Sequence, residues 1–317
     1  MTPQDAHVSV IDPISPAFGR VKTILFRPFD LGRWLTIGFC AWLAFLGQGG
    51  GGGGGGHGGG RGGGPSNAGE ALGQAKDFIM DNLHWIVPLV AVAVVFGLVL
   101  WLVFTWLSSR GKFMFLHCVA ENKAEVKVPW HKYREHAYSL FLFRIVLGLI
   151  GFLAGLFVVL VGIALFFLLG EGLGLGPLAI VVIILSVPIF VAVLIVFGVI
   201  KNFTESFVVP IMFLRTVSCT AAWREFLQLL SANKARFLLY ILFQIVIGIS
   251  IGVMIMAAVC ITCCCAGCIL AIPYVGTVLL LPVLVWGRSY SLYYLRQYGP
   301  EYDAFVAESQ VVQPAAG

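Results

Sequence analysis

Charge is what this chain has least of. Asp, Glu, Lys and Arg make up 11% of its 317 residues, where soluble domains carry about 25%. With a mean hydropathy of +0.96, too little polar surface remains for a water-exposed globule, and a soluble class is excluded. The scarcity is sharpest inside the apolar runs, none of which holds an Asp, Glu, Lys, Arg or His near its centre. Ion-coupled transporters keep such groups at membrane depth, so transport through a charged relay is not expected. Catalytic signals are missing as well. No Ser or Cys sits in a nucleophile motif with a partner base. His131 and His136 are five apart with Glu135 beside them, whereas zinc ligands on one helix face are four apart. No catalytic, cofactor or metal residue is therefore expected, and the chain reads as a non-enzyme. A cleavable leader is not expected either. The first apolar run begins only at Trp34, after a polar start containing prolines, and leads into glycines without a cleavage site.

What is present is hydrophobic length. Six runs, at 34–47, 85–107, 145–169, 177–199, 237–259 and 269–286, have the composition of transmembrane helices. Lipid offers the backbone no hydrogen bonds, so such runs must be helical. The first is the shortest. Its 14 residues rise about 21 Å against a core of about 30 Å, so a re-entrant segment is an alternative to a full span.

Basic residues are distributed with a strong bias. Counting six spans, eighteen of the twenty Lys and Arg fall on one side, and only Arg61 and Lys76 fall on the other. Basic loops resist translocation, so this side is expected to be cytoplasmic, with both termini on it. The net charge of +5 is spread over four segments interleaved with aromatics. That pattern suits anionic lipid headgroups and not nucleic acid.

A threefold repetition is also legible. Each odd-numbered run follows a segment with large apolar residues at helical spacing. These are Phe18, Val21 and Leu25, then Trp130, Tyr133 and Phe141, then Trp223, Phe226 and Leu230. Arg33, Arg144 and Arg236 stand before the three runs. The expected fold class is all-α: a polytopic membrane helix bundle of six transmembrane helices. They would form three hairpin repeats, each led by an amphipathic interfacial helix, and the arginines would anchor to headgroups. Two alternatives stay open. The anchors could have arisen independently, and the short helices could pack under the bundle instead of touching lipid.

The whole chain reads as one membrane domain with three appendages. Residues 48–66, almost all glycine, read as a flexible loop without the pattern of a phosphate-binding loop. Residues 67–84 read as an amphipathic helix on the non-cytoplasmic side, and 303–317 as a flexible tail. Five of eight cysteines, Cys260, Cys263, Cys264, Cys265 and Cys268, crowd the end of the fifth run. Small apolar packing, one or more disulfides, and metal or redox chemistry are all compatible with that spacing. Gly148, Gly151, Gly155 and Gly162, and likewise Gly248 and Gly252, mark close helix packing within one chain or between copies. Pro188, Pro273 and Pro282 should kink their helices, and Gln244 suggests a hydrogen bond between helices.

Two stretches resemble a known group. Phe-Arg-Pro-Phe-Asp-Leu-Gly-Arg-Trp at 26–34 leads into Gly-Phe-Cys-Ala-Trp-Leu at 38–43. The segment Gly-Arg-Ser-Tyr-Ser-Leu-Tyr-Tyr-Leu-Arg-Gln-Tyr-Gly-Pro-Glu-Tyr fills 287–302. The chain resembles an uncharacterised family of bacterial six-span membrane proteins over nearly its whole length. More distantly, it resembles the membrane domain that precedes the catalytic barrel of some glycerophosphodiester phosphodiesterases. The resemblance implies a bacterial inner-membrane location and supplies no activity, because that barrel is missing here. Two functions from different classes follow. One is a non-enzymatic scaffold or accessory protein that organises lipid, a protein partner or further copies of itself. The other is a transporter or channel for a small neutral or lipid-like solute, since repeats are frequent in transporters.

Overall fold

The computed structural model describes residues 8–47, 82–168, 176–262 and 265–305. Those residues are helical, with no strand among them. A short helix α1 (Ile14–Val21) runs through a π-helical turn (Lys22–Phe26) to α2 (Leu31–Phe45). The long α3 (Leu83–Glu121) follows, then α4 (Lys127–Lys132), α5 (Arg134–Phe167) and α6 (Gly176–Phe203). A second π-helical turn (Thr204–Val208) joins α6 to α7 (Val209–Arg215). The remaining helices are α8 (Cys219–Ala232), α9 (Lys234–Ile261), α10 (Cys265–Ala271), α11 (Pro273–Leu279) and α12 (Leu281–Arg296).

Four helical stretches are long and apolar enough to cross a membrane: His84–Glu121, Arg134–Phe166, Ile184–Arg215 and Lys234–Ile261. The pair α11 and α12, bent by 63° at its break, makes a fifth if counted as one span. The break falls between Pro273 and Pro282, the two prolines expected to kink this run, and each proline sits in the first turn of its own helix, where its missing N–H does no harm. α2 has 15 residues and belongs with the shorter apolar helices. Asp30 starts it by accepting a hydrogen bond from the Gly32 amide at 2.9 Å, the ordinary action of an acidic N-cap.

The helices divide lengthwise. In α3 the first half exposes Trp85, Val92, Phe96 and Val99. The second half buries everything from Phe113 to Val119. The same split recurs in α5, α6 and α9, whose apolar halves expose most of their large side chains while their other ends pack into a common base. An apolar surface of this extent exceeds what soluble monomers expose to water. The base is closed by aromatic stacking: Phe207 lies 5.3 Å from Phe226 and 4.8 Å from Tyr240, and Tyr240 lies 4.6 Å from Tyr294. These separations are in the range where ring quadrupoles attract.

The segments read as interfacial helices are part of this base. Val21, Leu25, Tyr133 and Phe226 are buried, while Phe18 remains 54% exposed beside Trp286. They pack under the bundle by one face, which is the alternative left open above. The N-terminal arginines grip α3. Arg20 donates to the carbonyls of Val119 and Ala120 at 3.1 and 2.8 Å, and Arg33 donates to the Asn122 carbonyl at 2.7 Å. Cations at a helix C-terminus satisfy orphan carbonyls and oppose the helix dipole. α2 approaches α3 so closely that a Cβ on Gly111 would run into the backbone of Leu43 and Ala44.

Gly151, Gly155 and Gly162 of α5 meet Phe197, Phe190 and Ser186 of α6, so that glycine face is satisfied within the chain. Gly248 and Gly252 of α9 have nothing within 4 Å of an added Cβ. The glycine loop at 48–66, nearly all of 67–84, Cys263 and Cys264, and 306–317 lie outside the described residues. Of the expected tail, 303–305 dock on the base: Asp303 pairs with Arg296 at 3.0 Å and Phe305 stacks on Tyr293 at 4.4 Å.

Candidate functional site

A charged layer is buried where the apolar halves of the helices meet the base. Lys112 of α3 pairs with Glu205 of the π-helical turn after α6, and their side chains are 2% and 19% exposed. The π-turn aims Glu205 inwards while its neighbours Thr204, Ser206, Phe207 and Val208 are all buried. Such single turns are frequent where a helix must redirect a functional side chain. Arg288 of α12 donates to the Glu205 carbonyl at 2.6 Å. Arg144 of α5 uses Nη1 to donate to the hydroxyls of Ser108 and Ser109 at 3.2 and 3.3 Å. Lys112, Arg144, Lys201 and Arg288 all act electrostatically on the Glu205 carboxylate, four cations against one anion. Removing charges from water is costly unless they are paired and hydrogen-bonded, so this layer must be held by its geometry.

A polar ladder runs beside it. Asn202 donates to Gln244 at 3.1 Å and Gln244 donates to the Tyr240 hydroxyl at 2.7 Å. Gln244 therefore makes the interhelical bond its position suggested. Tyr290 and Tyr294 tie the layer to distant backbone, donating to the carbonyls of Val10 and Arg236.

Arg144, read above as a headgroup anchor, donates to two buried serines. Arg236 places Nη1 3.4 Å from the Asn233 side-chain oxygen. The charged layer escaped the sequence reading because each member lies just past an apolar run and so counted as a loop residue. A signal was present. Lys112 is followed by Phe-Met-Phe-Leu-His-Cys-Val and Glu205 by Ser-Phe-Val-Val-Pro-Ile-Met, so apolar sequence resumes after both charges.

The other candidates do not converge. His131 is exposed and His136 lies 6.4 Å from the rings of Phe113 and Tyr133. His117, unremarked in the sequence, is buried with Nδ1 3.1 Å from Glu121. Arg110 is sandwiched between Trp106 and Trp130 at 4.7 and 4.6 Å, which fastens α4 to α3. At the outer edge of the base, Tyr302 donates to Glu225 at 2.7 Å and Arg215 pairs with the same carboxylate at 3.0 Å. Burial, with the neighbouring Glu225 carboxylate, pushes the Tyr302 hydroxyl up to about 12. Burial likewise pushes the Cys219 thiol up to about 12. Cys260 and Cys268 are exposed and unbonded. Among the described residues, no group of three or more His, Cys, Asp or Glu is placed to hold a metal ion.

Fold and site together define an all-helical protein with four to five helices of membrane-spanning length and apolarity, closed at one end by a charged and aromatic base. The chain belongs to a family of unknown function, DUF7544, which matches it over residues 8–295. No curated protein and no solved structure matches it significantly.

Proposed function

We propose that this protein is a non-enzymatic scaffold or accessory protein of the bacterial inner membrane. It crosses the membrane six times, with α2 as the first span and the bent pair α11 and α12 as the last. Its basic base and both termini lie in the cytoplasm, against anionic headgroups. The order of elements supports three units, each a short amphipathic helix followed by two apolar helices. The distant resemblance to a membrane domain that accompanies a catalytic barrel fits an accessory role.

The observation that carries this reading is the filled base. Phe207, Phe226, Phe237, Tyr240, Tyr290 and Tyr294 are each no more than 1% exposed. A solute would have to cross this aromatic layer. The test is flux through proteoliposomes of the full-length protein, with water, glycerol and urea as solutes. Scaffold function requires rates equal to those of protein-free liposomes, and faster saturable uptake of any of the three defeats it.

A second reading has one specific support. The groove between α5 and α6 has a volume of about 520 Å³ and is lined almost wholly by apolar atoms, with Gly162, Phe166 and Phe190 among its walls. A lateral groove of that kind suits movement of a lipid-like molecule. Lipid scrambling in the same proteoliposomes separates the two readings.

A further inference from the structure

A second groove, of about 320 Å³, lies between α3, α5 and α6, at the level where the apolar halves meet the charged layer. Its two ends differ in chemistry. One end holds Arg144 and Lys201, and the other is walled by Trp101, Leu147, Val193 and Phe197. Between them Gly148 and Gly151 let the Trp101 and Phe197 rings lie close against α5, where they form the apolar wall of the groove. An added Cβ there would meet the Trp101 ring at 3.4 Å or the Phe197 ring at 3.1 Å.

Both cations have unused capacity. Arg144 commits only Nη1, and only to two neutral hydroxyls beyond 3 Å, and no carboxylate of the described residues lies within 4 Å of it. Lys201 is exposed and makes no hydrogen bond or close ion pair among the described residues. Glu205, the carboxylate that faces the layer, is already held by Lys112 and by the other cations around it. An excess of positive charge thus fronts a groove whose remaining wall is hydrophobic.

We propose that this groove binds one anionic phospholipid. Its phosphodiester sits between Arg144 and Lys201, and one acyl chain lies in the apolar end of the groove against Trp101, Leu147, Val193 and Phe197. The guanidinium presents a planar fork suited to phosphate oxygens, and the flexible ammonium adds a point charge. A zwitterionic lipid brings its phosphodiester with a fixed cation beside it and so adds no net charge to offset Arg144 and Lys201, which share the single Glu205 carboxylate with Lys112. A free phosphate would leave the apolar half of the groove unfilled. The proposal rests on the membrane-spanning reading above and gives the anionic headgroups expected there a defined address.

The test is native mass spectrometry of the full-length protein in a neutral detergent, titrated with phosphatidylglycerol, phosphatidylcholine or inorganic phosphate. One phosphatidylglycerol should bind about tenfold more tightly than phosphatidylcholine, the scale of one charge-assisted contact. Lys201→Gln should weaken phosphatidylglycerol about tenfold. Gly148→Leu, which fills the groove and leaves both charges in place, should weaken it at least as much. Lys201 is exposed and its variant should fold, so the test survives if changes at Arg144 damage the layer. Equal binding of the two lipids, or unchanged phosphatidylglycerol binding in both variants, overturns the proposal. Displacement of the lipid by an equal concentration of inorganic phosphate overturns the acyl-chain half and leaves a free-anion site. Extraction of the cell membranes with alkaline carbonate separates this failure from that of the underlying reading. A protein released into the supernatant is not membrane-spanning, whereas one that stays in the pellet and does not discriminate between lipids lacks only the site.

Discussion

Replacing Glu205 with glutamine should damage the protein more than removing any one of the cations around it. The Lys112 ammonium is almost fully buried, and its ion-pair partner is Glu205. In Glu205→Gln that ammonium loses its counterion, and Arg144 and Arg288 lose the carboxylate that offsets their mutual repulsion with Lys112. Removing one partner of a buried pair costs about 3–5 kcal/mol. The Arg288 contact to the Glu205 backbone carbonyl survives the change, so the loss measures the carboxylate alone. Lys112→Met is the opposite case. It removes a buried charge and keeps an apolar stem of similar length, while Glu205 retains Arg144, Lys201 and Arg288 around it. Its cost should fall below the roughly 3–5 kcal/mol of a broken buried pair, because Glu205 keeps other cations beside it and is not left as an uncompensated buried charge. Reversible unfolding in mixed micelles, with SDS as denaturant, reads both values. A buried pair is little screened, so the difference should persist at high salt. If Glu205→Gln is no less stable than Lys112→Met, the layer is not organised around this carboxylate and the reasoning fails.

Other consequences are as direct. In the folded protein, maleimide at pH 8 should modify Cys260 and Cys268 and leave Cys40, Cys118 and Cys219 untouched until denaturant is added, as read by mass spectrometry of peptides. Gly111→Ala forces a Cβ into the α2 backbone and should destabilise by about 1–3 kcal/mol. Gly248→Ala meets nothing in the chain, and its thermal midpoint should match or exceed that of the parent; a marked loss would mean that a second copy packs there. The Tyr302 hydroxyl is raised in the folded state, so its contribution to stability is complete below pH 10 and fades as pH rises towards 12. Tyr302→Phe should flatten the stability profile across that window in alkaline unfolding titrations, and an unchanged profile would refute the assignment.

Much of the helical framework was legible because lipid-facing helices need long apolar runs, and Trp85–Leu107 and Phe237–Val259 stand out for that reason alone. The helix ends were not legible. α3 continues to Glu121 and α5 begins at Arg134, well beyond the apolar runs, because their lower halves pack against protein and use Lys112, Ser108, Ser109 and Arg144 as interior groups. Hydropathy treats those residues as water-exposed, and only the partner that satisfies each one makes it a core residue. The glycines illustrate the same limit. The spacing of Gly151, Gly155 and Gly162 marked a packing face, and α6 fills it, but the similar spacing of Gly248 and Gly252 meets no partner in the chain. The bend near Pro273 and Pro282 was readable because proline acts locally. Glu205 was not, because its role depends on a π-turn and on charges from three other helices.

The most direct test of the membrane account is labelling of single cysteines, placed at Ser66 and at Lys123, in a cysteine-free background in intact cells. Lys123 sits past the end of α3 with its side chain 59% exposed, so a thiol there is open to reagent from its own side of the membrane. The expected result is that an impermeant maleimide labels Ser66→Cys from outside and labels Lys123→Cys only after the membrane is permeabilised. Labelling of Lys123→Cys in intact cells, or protection of Ser66→Cys, would contradict a basic cytoplasmic base beneath membrane-spanning helices.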